Sequence, residues 1–192
     1  MEFWLWRNAT QDGYCTIKTP NMERVWELVQ GVSRIQDFPD GIECRMNPQR
    51  PKDVGLADNI RGAFFPVISG RLRKALEAEA TQNRVEYIPV RIINHKKRLA
   101  SADYFVLNPL DIVDCIDPEA SCVEWNTISP GSISYCKGLV LKEDAIPPGF
   151  RLFRLKYWPN NIMIDDDLVA NLKRMDLTGL VFRKAAGYDG MG

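Results

Sequence analysis

The chain has 192 residues, of which 45% are hydrophobic, and its 25 Lys and Arg residues balance 25 Asp and Glu residues. This length and composition favour one domain with a core large enough to need no disulfide or metal for stability. The balanced charge argues against a general nucleic-acid or membrane-surface binder, because such proteins normally carry a basic excess.

Compartment signals favour the cytoplasm. Residues 1–7 lack the basic start of a signal peptide, and no apolar run approaches the roughly eighteen residues of a transmembrane helix. The five cysteines form no C-x-x-C pair, so they indicate neither a disulfide framework nor a zinc site. We therefore expect a reduced cytoplasmic protein with no cofactor, no bound metal and no membrane partner.

The first predicted helix lies near the N-terminus. Thr19, Pro20 and Asn21 give a helix start signal. Apolar residues then follow at helical spacing as far as Gly31, and they predict one buried face: Met22, Val25, Trp26 and Val29. Residues 34–60 hold three prolines and two glycines, which predicts an irregular connection.

Two later segments, about 96 residues apart, share the same pattern of a helix start followed by an extended segment. Ser69 and Asp165 are N-cap candidates, and each is followed by helical spacing of leucines. Extended segments come next, at residues 85–88 and 180–182. In the second helix, acidic residues 165–167 at the start and basic residues 173–174 near the end suit the helix dipole. That placement favours helix capping over metal or partner binding for the three aspartates.

Short β-favouring runs occupy residues 104–107, 122–125, 139–141 and 152–155. Together with the helices they predict an α+β fold, in which short helices pack on a largely antiparallel sheet and a helix–strand unit repeats weakly. We expect a single domain over residues 1–192, with a frayed tail at residues 187–192.

The charge is polarised along the chain. Residues 67–99 hold eight Lys and Arg against three Asp and Glu, whereas residues 100–150 hold two against eight. Solvated faces that neutralise each other in the folded protein would explain this pattern. Alternatively, the acidic segment is presented to a basic partner.

Catalytic residue types are sparse. The single histidine, His95, precedes the cations Lys96, Lys97 and Arg98, which favours an exposed turn residue over a general base. A hydrolase that pairs His95 with one of the cysteines stays open, but no surrounding motif supports it. Phosphate-binding glycine loops, a nucleophile elbow and paired metal ligands are also missing from the sequence.

Three aspartates form the densest group of carboxylates. Asp111, Asp114 and Asp117 are spaced at i, i+3 and i+6, which would bring them to one side of a helical turn. Such a group could suit a metal or an arginine-rich ligand. The alternative is a polar face around the apolar residues Ile112, Val113 and Ile116.

The segment that contains these aspartates resembles a bacterial polymorphic-toxin immunity family named after a myxobacterial immunity protein. The family stretch is similar to this chain at Leu107, Asn108, Asp111, Val113, Asp114, Asp117, Pro118, Ser121 and Trp125. The strand at 152–155, the closing helix positions Ile164, Leu168 and Leu172, and the segment 177–182 also resemble the family pattern, as do residues 56–58 and 68–72.

The resemblance covers residues 55–185 and departs from the family in two places. Residues 164–166 read Ile-Asp-Asp where the family has a serine-containing unit, and residues 1–54 match no part of the pattern. The chain therefore divides into a variable N-terminal subregion, 1–54, and a family-like core, 55–185. Membership would imply a protein that binds and neutralises a cognate toxin. The resemblance identifies no catalytic residue in this chain.

Two other classes of function stay open at this point. One is an enzyme with an unfamiliar carboxylate or cysteine site. The other is a regulatory or nucleic-acid-binding module that uses the basic segment 67–99 with Tyr87 and Tyr104. Nothing in the sequence supports a homo-oligomer, although it excludes none.

For a toxin-binding protein, the sequence offers two recognition surfaces. Aromatic residues favour binding hot spots, so the N-terminal subregion is the main candidate through Trp4, Trp6 and Tyr14. The acidic run at Asp111, Asp114 and Asp117 is the second, and it would suit a basic, nuclease-like toxin.

Overall fold

The computed structural model describes residues 2–190. The strands, in chain order, are β1 Phe3–Asn8, β2 Ile17–Lys18, β3 Ile42–Met46, β4 Asn59–Ile60, β5 Val67–Ser69, β6 Val85–Ile93, β7 Leu99–Pro109, β8 Ile112–Val113, β9 Val123–Trp125, β10 Ile133–Cys136, β11 Leu152–Leu155, β12 Trp158–Asp165 and β13 Leu180–Lys184. The α-helices are α1 Gly70–Glu79 and α2 Asp166–Arg174. Short 3-10 helices occupy Val25–Val29, Ile35–Asp37 and Glu143–Ala145.

The strands form two main sheets. The first sheet has the order β13-β1-β12-β11-β8, the second has the order β2-β3-β6-β7-β5-β4, and β9 pairs with β10 in a separate hairpin. Most neighbouring strands are antiparallel, but β8 is parallel to β11 and β3 is parallel to β6. The predicted α+β class and the largely antiparallel pairing are confirmed, but the strands form two mixed sheets and a hairpin instead of one sheet.

Both α-helices begin at the caps that the sequence predicts. The Ser69 hydroxyl accepts a hydrogen bond from the Leu72 amide at 3.2 Å, and the Asp165 carboxylate accepts one from the Leu168 amide at 2.7 Å. Asp165 also accepts a hydrogen bond from the Arg151 Nε at 2.9 Å. The two cap bonds satisfy amide groups that the first turn of a helix leaves without a partner.

Each helix connects two strands that lie on either side of a third strand. Helix α1 joins β5 to β6 around β7, and α2 joins β12 to β13 around β1. The two sheets otherwise differ in strand number and strand order. The weak internal repeat expected from the sequence is therefore not supported as a unit of the architecture.

Three clusters of buried apolar side chains form the core. One cluster joins the two helices to both sheets, and it contains Leu72, Leu76, Leu107, Leu152, Leu168 and Leu172. A second cluster covers a face of the second sheet, and a third covers the face of the first sheet that is turned away from the helices. The strand at 152–155 is buried, and so are the leucines at the helical positions, Leu72, Leu76, Leu168 and Leu172.

The predicted N-terminal helix is wrong in its type and in its register. The chain forms a 3-10 helix only at Val25–Val29, and the preceding residue, Arg24, has a left-handed φ of 54°. Trp26, which the helical spacing places on the buried face, is 51% exposed. Regular spacing of apolar residues predicts an α-helix here, but the segment is short and its burial comes from contacts with the core of the second sheet.

The expected irregular connection at residues 34–60 is wrong in part, because it contains β3 and β4. Strand β3 alternates buried and exposed residues and runs parallel to the long strand β6. Strand β4 has only two residues, both buried. The prolines and glycines around these strands favour a loop, so the local sequence does not indicate them. Each strand is stabilised by pairing with a strand elsewhere in the sequence.

Backbone hydrogen bonds attach the C-terminal segment to Leu139. The Gly187 amide donates to the Leu139 carbonyl at 2.9 Å, and the Leu139 amide donates to the Tyr188 carbonyl at 2.8 Å. The last two residues of the expected frayed tail, 191 and 192, lie outside the described residues.

Candidate functional site

The N-terminal tryptophans lie on one face of β1, which is a central strand of the first sheet. Trp6 is only 4% exposed and packs edge to face on Phe182, with 5.9 Å between ring centroids. Trp4 is half-buried, and the Nζ atoms of Lys173 and Lys184 lie 4.9 and 5.5 Å from its ring centroid. Within residues 2–190 neither indole N–H has a hydrogen-bond partner. Trp6 is therefore a core residue, and Trp4 is the one that a partner can reach.

Tyr14, the third aromatic candidate, lies elsewhere. It forms an isolated parallel bridge with Gly55, and the nearby Thr16 forms another with Arg61, next to the end of β4. Tyr14 is half-buried and lines a small recess with Cys15 and Asn59. The N-terminal aromatic residues are thus divided between the two sheets.

The three aspartates do not share a helical face, because Asp111 leads directly into strand β8. The Asp111 carboxylate is buried and accepts the Arg84 amide at 2.8 Å, the Arg84 Nε at 2.8 Å and the Asn83 Nδ2 at 3.3 Å. The predicted helical turn is wrong, since the chain enters a strand at this point. Asp111 fixes the chain before β6 and has little surface to offer a partner.

Asp114 and Asp117 are more accessible. Asp114 pairs with the Lys156 Nζ at 2.7 Å and accepts the Tyr157 hydroxyl at 3.3 Å. The hydrogen bond from Lys156 holds the pKa of Asp114 below its usual value. Asp117 accepts the amides of Glu119 and Ala120 at 3.2 and 3.1 Å, which is a turn-capping role.

Asp114 begins a series of side-chain contacts, through Lys156 and Tyr157 to Trp125, that the sequence alone does not bring together. The Lys156 Nζ lies 5.0 Å from the Tyr157 ring centroid, and Tyr157 packs edge to face on Trp125 at 5.4 Å. Trp125 is 45% exposed, and Ile128, at the tip of the β9–β10 hairpin, is 94% exposed. We call this set the hairpin face: Asp114, Trp125, Ile128, Lys156 and Tyr157.

Only part of the hairpin face has a signal in the sequence. Asp114 and Trp125 belong to the stretch that carries the family resemblance, but they are 11 residues apart. Tyr157 reaches them because the Ile133 amide donates to the Tyr157 carbonyl at 2.8 Å, which ties the hairpin to the turn after β11. No periodic pattern in the sequence predicts that contact.

Potential nucleophiles and bases are dispersed or buried. The His95 Nε2 lies 3.4 Å from the Asp53 carbonyl, in the turn between β6 and β7. Burial raises the pKa of Cys15 to about 11 and the pKa values of Cys44 and Cys115 to about 12. Thiols that are protonated at neutral pH are poor nucleophiles. Among residues 2–190 no group of three or more His, Cys, Asp and Glu side chains is placed to hold a metal ion.

Tyr87 and Tyr104, the aromatic residues considered with the basic segment, make contacts inside the protein. Tyr104 is buried and its hydroxyl donates to the Ala57 carbonyl at 2.9 Å. The Arg73 guanidinium lies 5.3 Å from the Tyr87 ring centroid, and burial raises the pKa of both tyrosines. Neither ring presents an open stacking platform of the kind that single-stranded nucleic acids use.

Neither α1 nor α2, the α-helices of the described chain, has the length and apolar character needed to cross a membrane.

Comparison with known proteins supports one family. No individual curated protein matches the chain. The sequence profile described as Immunity protein family (Imm11) matches residues 7–187. This match reaches further toward the N-terminus than the resemblance at residues 55–185, and it begins within β1. Since the profile covers nearly the whole chain, the protein belongs to the Imm11 immunity protein family.

Proposed function

We propose that this protein binds a cognate toxin of a bacterial polymorphic toxin system in the cytoplasm and neutralises it without catalysis. The observation that carries the proposal is the match to the immunity family over residues 7–187. An immunity protein of this kind needs a rigid scaffold and a complementary surface, and it needs no active site.

The chemistry of the candidate nucleophiles supports the non-catalytic part of the proposal. Four cysteines are buried, and burial raises the pKa of each of those thiols. The fifth, Cys122, is exposed in a turn before β9. Nucleophilic catalysis requires a base within hydrogen-bond reach of the nucleophile. The His95 ring contacts a backbone carbonyl, so this contact does not activate a thiol.

Direct recognition depends on exposed side chains. Among the residues that the sequence puts forward, Trp6 and Asp111 are buried, which leaves Trp4, Tyr14, Asp114 and Asp117 for contact with a toxin. We propose that the toxin contacts one continuous part of this surface and not all of it, since these residues lie on separate elements.

The test uses the cognate toxin domain, which is sought among the genes next to this one. We expect co-expression of the chain to restore growth of bacteria that produce the toxin, and the two proteins to copurify. Titration of purified toxin should reach full inhibition at an equimolar amount of the chain, because a binder is consumed one for one. Inhibition by a substoichiometric amount would overturn the non-catalytic mechanism. A failure to bind or protect would overturn the proposed function itself.

A separate variant addresses the exposed thiol and the single histidine. The double substitution His95→Ala and Cys122→Ser should protect as well as the natural chain, because we propose a catalytic role for neither side chain. If the folded double variant loses protection, the enzyme hypothesis replaces the binding hypothesis.

A further inference from the structure

We propose that the hairpin face is the surface that binds the toxin, and that it binds a basic patch bordered by an apolar pocket. This inference rests on the proposed function and deepens it by naming the surface and the chemistry of the partner. Three observations carry it: the exposed apolar side chains of the hairpin face, its preorganised geometry, and the acidic residues that lie beside it.

Part of the exposed apolar area of the protein lies at this hairpin. Trp125 is 45% exposed, and Ile128 is 94% exposed at the tip. Large side chains that remain this accessible, beside a charged border, are typical of protein–protein interaction sites. Tryptophan is also among the residues most enriched at energetic hot spots.

Hydrogen bonds hold the hairpin tip in a defined shape. The Asn126 Oδ1 accepts the amides of Ile128 and Ser129 at 2.8 and 2.9 Å. The Asn126 amide donates to the Ser132 carbonyl at 2.8 Å, which closes the turn. A surface that is ordered before binding loses less conformational entropy when a partner docks. The backbone that carries Ile128 is therefore ordered before a partner binds.

Side-chain contacts also connect the base of the hairpin to the rest of the protein. Tyr157 supports Trp125 through an edge-to-face contact, and its hydroxyl donates to Asp114. Lys156 is occupied by the same carboxylate at 2.7 Å. The one lysine within the hairpin face is thus neutralised internally, and it does not offset the surrounding acids.

Acidic residues next to the hairpin give this part of the surface its negative charge. Lys156 balances Asp114, and Asp117, Glu119 and Glu124 add three further carboxylates close to the hairpin in the sequence. Glu119 and Glu124 flank the hairpin, are exposed, and form no ion pair with any residue from 2 to 190. An exposed acidic patch attracts a basic partner, and it increases the rate of association most strongly at low salt. A basic toxin surface with a recess for Ile128 and Trp125 is complementary to both features.

The N-terminal aromatics form a weaker surface by the same criteria. Trp6 is in the core, and the half-buried Trp4 ring is covered in part by Lys173 and Lys184. These lysines would repel a basic partner.

The experiment compares matched variants in binding to the isolated cognate toxin domain. Trp125→Ala removes the central ring of the hairpin face, and Trp26→Ala removes a ring of similar exposure, 51% against 45%, from another part of the surface. Circular dichroism and thermal melting establish that both variants fold. We expect Trp125→Ala to raise Kd by at least about tenfold, as for a hot-spot residue, and Trp26→Ala to leave it unchanged.

A second pair of variants tests the contribution of the acidic residues beside the hairpin. The triple variant Asp117→Asn, Glu119→Gln and Glu124→Gln removes three charges beside the hairpin, and the amide introduced by Asp117→Asn retains the turn-capping oxygen. The control triple variant Asp12→Asn, Glu23→Gln and Asp40→Asn removes three exposed charges elsewhere. We expect only the first to slow association by about tenfold at low salt, with the difference shrinking as salt is added.

The outcomes separate the two proposals. If the natural chain binds the toxin but Trp125→Ala and the hairpin triple variant bind like their controls, the hairpin face is not the docking surface and the proposed function stands. If both triple variants slow association equally, net charge acts without a local acidic patch and the charge argument fails. If the natural chain does not bind the toxin, the proposed function fails and this inference fails with it.

Discussion

The guanidinium of Arg154 donates from its Nε to the Pro109 carbonyl at 3.0 Å, and this bond joins the two sheets through a wholly buried side chain. Arg154 lies on β11 of the first sheet, and Pro109 ends β7 of the second. The same guanidinium donates to the carbonyls of Pro159 at 2.7 Å and Leu28 at 3.1 Å. Burial lowers the pKa of Arg154 to about 9, so the side chain stays charged at neutral pH.

We therefore predict that Arg154→Met destabilises the protein strongly. The substitution leaves the carbonyl oxygens of Pro109, Leu28 and Pro159 without this donor, and the first two of these bonds are buried. The free energy of unfolding should therefore fall by on the order of 3–5 kcal/mol. Arg91→Met is the matched control, because Arg91 is exposed on β6. Urea unfolding measures both variants, and equal stability of the two would contradict the role assigned to Arg154.

A second prediction concerns the cluster between the helices and the sheets. Leu168 is fully buried in the first turn of α2, so Leu168→Ala should cost roughly 2–5 kcal/mol in the free energy of unfolding. Leu99→Ala, at a position that is 52% exposed, should cost far less. Denaturant titration of both variants provides the comparison. A small effect at Leu168 would show that α2 contributes little to the core.

The thiols give a third prediction, about reactivity. In the native protein Cys122 is the one exposed cysteine of five, so a disulfide reagent at mildly alkaline pH should modify one thiol rapidly and the others only on unfolding. Cys122→Ser should abolish the rapid phase. Two or more rapid thiols in the native protein would contradict the burial described above.

The same thiols impose a pH dependence on stability. An unfolded thiol loses its proton near pH 8.5, whereas Cys15 in the folded protein keeps its proton up to about pH 11. The folded state thus binds more protons over this interval, so this group lowers the free energy of unfolding as pH rises from about 8.5 to 11. Replacement of Cys15 by Ala should reduce that slope in urea titrations at a series of pH values, and an unchanged slope would contradict the assignment.

A further prediction addresses specificity, which the sequence assigns mainly to residues 1–54. Exchange of that whole segment with a relative would replace β1, which lies between β12 and β13, and would alter the core as well as the surface. A cleaner comparison exchanges either residues 9–41 or the hairpin residues 123–136 between two family members. We expect toxin choice to follow the hairpin in growth-protection assays. If it follows residues 9–41, the N-terminal assignment is correct and the hairpin face is not the determinant.

Much of the local structure can be predicted from the sequence. Ser69 and Asp165 are recognisable as helix caps because a hydroxyl or carboxylate before a helix bonds amides only three residues away. Leu168 and Leu172 are recognisable as core residues because helical spacing places them on one face. Such interactions are local, and the order of residues is enough to reveal them.

The candidate site depends on contacts that are distant in the sequence. Asp114 and Lys156 are separated by 42 residues, and they meet because β8 lies parallel to β11. Helical spacing would group Asp111, Asp114 and Asp117, but the folded chain gives each aspartate different partners. Burial of Trp6 likewise follows from the position of β1 inside the first sheet.

The sequence by itself determined the α+β class, the starts of both α-helices, their buried leucines and the family resemblance, all of which rest on local patterns. Only the tertiary structure decided that there are two mixed sheets, that Trp26 is exposed while Trp6 is buried, and that Trp125 and Tyr157 share a surface with Asp114. The physical reason is that strand pairing and burial are set by which distant segments pack together, and a side chain of a given chemistry can lie in the core or at the surface according to that packing.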